Sequence, residues 1–499
     1  MTASREASRI ILRGGGSTAA GFAVRLGARL LFLFAAGQLF GAALFGAFAL
    51  AVAMVELGVT IGNLGTKRTL FHYLDHHDEE GRPAAHVVLD AALLILLVST
   101  LIAGLIVAAA LLIPRSDLPE NTATAMVVLA PMVAGQALID LFSATTRWKH
   151  LIRYEVLGRS LVEPYAGIAG TIAAWVLGFR EEGLLIGYWT GTLSALAFTF
   201  FGARRAILGF RLRSYRPPWA GLAAMLRSAR ANTLNDFLNS LYGQLDLYLV
   251  GILLGEHGAG IYGMARQVRT PVRQVRQSLD GMLTPIVSRT LAAVGPVDTG
   301  RALASAARLI LAIQLPILIA LAALGIPMLD AIGPGFVLGY WALILLAAAE
   351  SIQGAFSTGD LLFVYRRPRL GLVITATSIA VGIAAGLVFI PLWGVTGAAL
   401  SVLVSIALRA FHRRYALSAE FGVRVPLAYS AAPFGAAILG AVAAMFAAWL
   451  AGASQWLLYG GAVTAGLAVY GLALLLWIRA TGSSLALEGF VAAPARNRG

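Results

Sequence analysis

The constraint that governs this chain is a recurrence of apolar runs about twenty residues long, separated by short polar connections, almost to its end. Inside hydrocarbon every backbone N–H and C=O must be satisfied within its own segment, so such runs fold as helices that cross the bilayer. Fourteen spans are predicted: 18–40, 43–65, 86–113, 122–145, 156–178, 184–202, 228–254, 258–288, 303–325, 337–362, 370–391, 395–411, 427–450 and 456–478. The residues are 59% hydrophobic and 12% charged, where a soluble protein carries about 25% charged residues. The expected fold class is an all-α polytopic membrane protein.

Charge position orients the spans. Of the 38 lysines and arginines, only Arg115 and Arg180 fall in connections on one side of the membrane, whereas the other side is strongly basic. The positive-inside rule then places both termini in the cytoplasm. The net charge of +14 is a topological signal here, not a nucleic-acid footprint. Arg5, Arg9 and Arg13 lead into the first apolar stretch, as in an uncleaved signal anchor. The longest inner connection, residues 204–227, is too short for a soluble domain, which excludes a nucleotide-hydrolysing motor. The segment GNLGTKRT (Gly62 to Thr69) lacks P-loop spacing. There is no cysteine, hence no thiol chemistry. His72, His76 and His77 sit in the loop segment LFHYLDHHDEEGR, where a metal site is conceivable but a solvated loop is the expected reading, and no cofactor is expected.

The chain repeats itself at an offset of 214. LFGAALFGAF (Leu39 to Phe48) aligns with LLGEHGAGIY (Leu253 to Tyr262), pairing Gly46 with Gly260 and Phe48 with Tyr262; Phe142-Ser143 and Phe356-Ser357 lie on the same diagonal. Two six-helix bundles follow, residues 1–203 and 228–417, with a basic linker 204–227 and two extra helices in 418–499. Six is even, so both bundles start from the cytoplasm and their pseudo-two-fold should run along the membrane normal.

Several spans carry residues too costly for lipid. Span 8 holds Arg266, Arg269, Arg273 and Arg276, which with Asp280 share a ~80° arc of a helix. An arginine in mid-membrane costs ~2.5–3.5 kcal/mol even on a lenient scale, so the stripe is expected to line a water-filled cavity that takes an anion. The bland alternative is arginines that snorkel to the interface, which suits Arg276 best. Span 1 adds Arg25 and Arg29, expected to face the same cavity. Span 7 carries Asn232, Asn235, Asp236, Asn239 and Asp246 within a ~100° arc, a set suited to sugar hydroxyls. Span 2 contributes Glu56, Thr60 and Asn63; Glu56 could equally pair with Arg29. Glu56, Asp140, Asp236 and Asp246 are candidate carriers of a coupling H+ or Na+. Arg159 and Glu163, four apart in span 5, can pair with each other. Pro271 and Pro316 are candidate kinks.

The opening RLLFLFAAGQLFGAALFGAFALAVAMVELGVTIGNLGTKRTL, with its small-residue elements Leu39-Phe40-Gly41, Phe45-Gly46 and Leu57-Gly58, resembles the polysaccharide-transport branch of the multidrug/oligosaccharidyl-lipid/polysaccharide exporter superfamily. YLVGILLGEHGAGIYGMARQV, preceded by Asp246, resembles the matching segment of the second half. The resemblance implies a non-enzymatic flippase in a bacterial cytoplasmic membrane, moving polyprenyl-diphosphate-linked glycan outward by alternating access for lipopolysaccharide or exopolysaccharide synthesis. It also implies membrane lipid, a glycan polymerase and export machinery as partners, and no nucleic acid. A peptidoglycan lipid-precursor flippase, a multidrug exporter of the same superfamily and a non-transporting scaffold remain open alternatives. The arginines speak against cationic drugs, and the polar stripes against a scaffold.

Overall fold

The computed structural model describes residues 2–75, 83–114, 118–207, 215, 217–277, 296–356, 367–426, 428–451 and 456–481. All regular structure among them is helical: α1 (Thr2–Gly62), α2 (Thr66–Asp75), α3 (Ala84–Leu112), α4 (Glu120–Leu129), α5 (Met132–Trp148), α6 (Ile152–Leu157), α7 (Glu163–Val176), α8 (Gly183–Ala206) and α9 (Trp219–Val268). A helix α10 follows, described over residues 270–277. Then come α11 (Pro296–Ile332), α12 (Tyr340–Phe356), α13 (Pro368–Phe421), α14 (Ala428–Ala451) and α15 (Trp456–Thr481). The chain is a polytopic membrane protein. Nine helices among the described residues are long and apolar enough to cross a bilayer, or ten if the bent pair α4–α5 is one span.

Glycine and proline explain why this number is smaller than the fourteen runs read from the sequence. Three long helices each contain one non-helical glycine: Gly41 (φ 72°, ψ −176°) in α1, Gly255 (φ 69°, ψ −169°) in α9 and Gly394 (φ 56°, ψ −132°) in α13. Only glycine enters this region without a Cβ clash, so the break falls where the sequence supplies one. Gly41 and Gly255 have nearly the same dihedrals and are 214 residues apart, the period of the sequence repeat. The α4–α5 pair bends by 43° at Pro131, which has no N–H to continue the ladder. Residues 152–176 are divided by a π turn, Gly158–Val162, where the N–H of Glu163 reaches Gly158 O. Pro164 supplies no N–H to the carbonyl four residues before it, which favours this widening.

The chain divides into two compact units, Met1–Gly260 and Ile261–Gly499. In the first, Leu70 and Leu74 of α2, Val88 and Ile95 of α3, Ala137 and Leu141 of α5 and Ala203 of α8 form an apolar core. The repeat also shows as a close crossing in this unit. A Cβ on Gly46 would lie 1.9 Å from Glu256 O, and a Cβ on Gly260 would lie 1.8 Å from Ala42 O. The two contacts are reciprocal, because 42 and 46 map onto 256 and 260 at the offset of 214. In the second unit, Leu311, Leu315 and Ile319 of α11 pack against Ala436, Ala437 and Ala444 of α14 and Ala462, Tyr470 and Leu474 of α15. The two C-terminal helices are thereby tied to α11.

Candidate functional site

Among the described residues, each unit holds a cluster that includes charged side chains. In the first, Asp140 of α5 forms an ion pair with Arg159 of the π turn and accepts a hydrogen bond from Asn63 Nδ2 at 2.7 Å. Arg159 Nη1 also donates to Gln136 Oε1 at 2.8 Å and approaches Glu163 Oε2 at 3.4 Å. Gln136 Nε2 completes the ring, donating to Glu163 Oε1 at 2.8 Å and to Thr192 Oγ1 at 3.1 Å. Arg25 Nη2 reaches the same turn and donates to Ser160 Oγ at 2.7 Å. The π turn presents Arg159 and Ser160 to these partners on neighbouring helices. Arg159 therefore serves three residues, where the sequence suggested its i+4 neighbour Glu163 alone.

The other polar residues of this unit are more dispersed. Glu56 is exposed and accepts a hydrogen bond from Gln244 Nε2. Arg29 is half-buried on α1. On α9, Asn235 and Asp236 are half-buried, and Asn239 is exposed, its Nδ2 donating back to Asn235 O at 2.8 Å. Asp246 is buried, and its Oδ1 accepts from Leu247 N at 2.9 Å. The Asn232 side chain and Asp280 lie outside what the structure describes.

The second unit holds the span-8 arginines. α9 stops at Val268 and α10 starts at residue 270, so the stripe is interrupted at Arg269, just before Pro271. Pro316, by contrast, lies within the unbroken α11. Arg269 is 7% exposed and its Nη1 donates to Oε1 of Glu350, itself 4% exposed, at 3.1 Å. Arg273, one turn on, is exposed and lies within electrostatic reach of Glu350 and of Arg266, Arg269 and Arg276. Arg266 and Arg276 are half-buried. The structure thus seats one of the four, Arg269, on a carboxylate of α12, with Arg273 exposed one turn further on.

Glu350 escaped the sequence reading, as did Gln136 and Ser160. The signal for Glu350 was a lone carboxylate in mid-span, the signal that marked Asp140. Glutamine and serine give no such signal, being common inside helix bundles.

A polytopic all-helical protein with buried polar clusters in both units has the makings of a membrane transporter. Comparison with solved structures places the fold there. The chain superposes on "Lipid II flippase MurJ, inward closed conformation" with a TM-score of 0.74 at 13% identity, covering 93% of this chain and 99% of that one. It also superposes on an inward-facing multidrug resistance MATE family transporter of the MOP superfamily, with a TM-score of 0.60 at 17% identity, covering 79% and 98%. The model of the polysaccharide biosynthesis protein family matches residues 38–332, and the chain belongs to that family. No curated protein matches it by sequence.

Proposed function

We propose that this protein is a flippase that carries polyprenyl-diphosphate-linked oligosaccharide across a bacterial cytoplasmic membrane for cell-surface polysaccharide synthesis, by alternating access. The observation that carries this reading is the arginine group of the second unit, with Arg273 exposed among Arg266, Arg269 and Arg276. Guanidinium forks match phosphate oxygens two at a time, and a diphosphate offers enough oxygens to engage several forks. Arg25 and Arg29 are proposed as further contacts to the anion. Asn232, Asn235, Asp236, Asn239, Asp246 and Asn63 are proposed contacts to sugar hydroxyls. Family membership supports a glycan substrate. Fourteen spans with both ends inside remain the proposed topology; in its support, the glycine breaks at Gly41, Gly255 and Gly394 fall at span boundaries read from the sequence.

A second reading, transport of a peptidoglycan lipid precursor, is favoured by the fold shared with the lipid II flippase. Both substrates present a diphosphate on a lipid, so the arginine site serves either. Glycan export in cells lacking their own flippase tests the proposed site. Arg273→Ala and Arg266→Ala, inserted at normal levels, are expected to reduce export about tenfold or more, since each charge-assisted hydrogen bond contributes about 1.5–3 kcal/mol. Normal export by both variants would remove the arginines as the phosphate site.

A further inference from the structure

Glu350 has no part in the proposed phosphate site, yet it holds one member of the arginine group, Arg269. It is almost wholly buried on α12, at the end of the apolar run 342–349. Its Oε1 accepts one hydrogen bond from Arg269, while its Oε2 is buried with no hydrogen-bond partner among the described residues. A pair kept for stability alone would be expected to close both oxygens on the guanidinium fork, because burying an unsatisfied carboxylate oxygen is costly. A one-point contact leaves most of a guanidinium's five donors to other acceptors. Arg273, exposed one turn along from Arg269, lies within electrostatic reach of the same carboxylate.

We propose that Glu350 is the resident counter-anion of the arginine group, holding Arg269 when no substrate is bound and yielding it to the substrate's phosphate oxygens. The proposal rests on the diphosphate reading and adds a specificity element to it. Any incoming anion must displace a carboxylate from Arg269. A single phosphate, as on an ordinary phospholipid, replaces that contact and gains little more. A diphosphate reaches Arg269 and Arg273 together and wins the exchange. Glu350 thereby discriminates against the abundant monophosphate lipids of the membrane.

Binding of inorganic pyrophosphate and of inorganic phosphate to the purified protein in detergent, followed by calorimetry, tests this. Glu350→Gln is expected to bind pyrophosphate about tenfold tighter than the unaltered protein, and to bind phosphate more nearly as well as pyrophosphate. A residue that only braces the helices would leave affinity unchanged or weaken it. Where the Glu350→Gln protein is not monodisperse, Glu350→Asp carries the test: it keeps the charge but withdraws it by one methylene, and tightening in the same direction is expected. Unchanged or weaker pyrophosphate binding in the variant that folds, with Arg273→Ala still weakening it, overturns the role of Glu350 and leaves the diphosphate site standing. Pyrophosphate binding that Arg273→Ala does not alter overturns both.

Discussion

The arginines of span 8 share a sequence pattern but not an environment. Arg269 is buried against Glu350, and Arg273 is exposed one turn away. Arg269→Ala leaves a buried carboxylate without its cation, which costs about 3–5 kcal/mol. A thermal melt in detergent should show this as a large loss, and Glu350→Ala added to it should restore much of the stability. Arg273→Ala should change stability by no more than about 0.5 kcal/mol, as surface substitutions do, while weakening the bound anion. Arg273→Lys should recover charge without bidentate geometry, and so only part of the affinity. A melt in which Arg269→Ala and Arg273→Ala behave alike would contradict this division. The sequence displayed the stripe and its unsuitability for lipid. It could not reveal which arginine meets a carboxylate, because Glu350 lies 81 positions away on another helix.

Among the elements, the glycine breaks and the crossing beside them are the most constrained. Gly260→Ala places a methyl against the Ala42 carbonyl, which is backbone and cannot swing aside, so the helices must separate. Gly41→Ala and Gly255→Ala force a side chain into the left-handed region, at roughly 1–3 kcal/mol each. Glu256 fastens the same end of α9 to α4. Its Oε1 accepts from Thr122 N and Thr122 Oγ1, each at 2.7 Å, and its Oε2 accepts from Asn121 Nδ2 at 3.1 Å. A carboxylate at a helix N-terminus also complements the helix dipole. Glu256→Ala is therefore expected to cost about 1–3 kcal/mol through donors left unsatisfied, read as a lowered melting temperature. Much of this architecture was legible. Apolar runs gave the helices, and the 214-residue offset that pairs Gly46 with Gly260 also relates Gly41 to Gly255. Of the first unit's ring, Asn63, Asp140, Arg159 and Glu163 were legible but Gln136 and the ring itself were not, because the π turn that aims Arg159 leaves no periodic mark. Asp140, read as a candidate ion carrier, is engaged by Arg159 and Asn63.

For the whole molecule, orientation and driving force are separable predictions. With no native cysteine to interfere, Glu181→Cys should react with an impermeant thiol reagent from outside the cell and Lys149→Cys only after the membrane is opened. The reverse pattern would invert the proposed topology. Coupling to an ion gradient, with Glu56, Asp140, Asp236 or Asp246 as carriers, predicts that collapsing proton and sodium gradients slows transport; undiminished transport would mean passive flipping. The central claim concerns the cargo. Liposomes containing the purified protein and a labelled polyprenyl-diphosphate oligosaccharide test it most directly, with a labelled peptidoglycan lipid precursor as the competing cargo. The predicted result is rapid appearance of the oligosaccharide lipid in the opposite leaflet, slowed by Arg273→Ala. Movement of the precursor alone, or of neither lipid, would contradict the account.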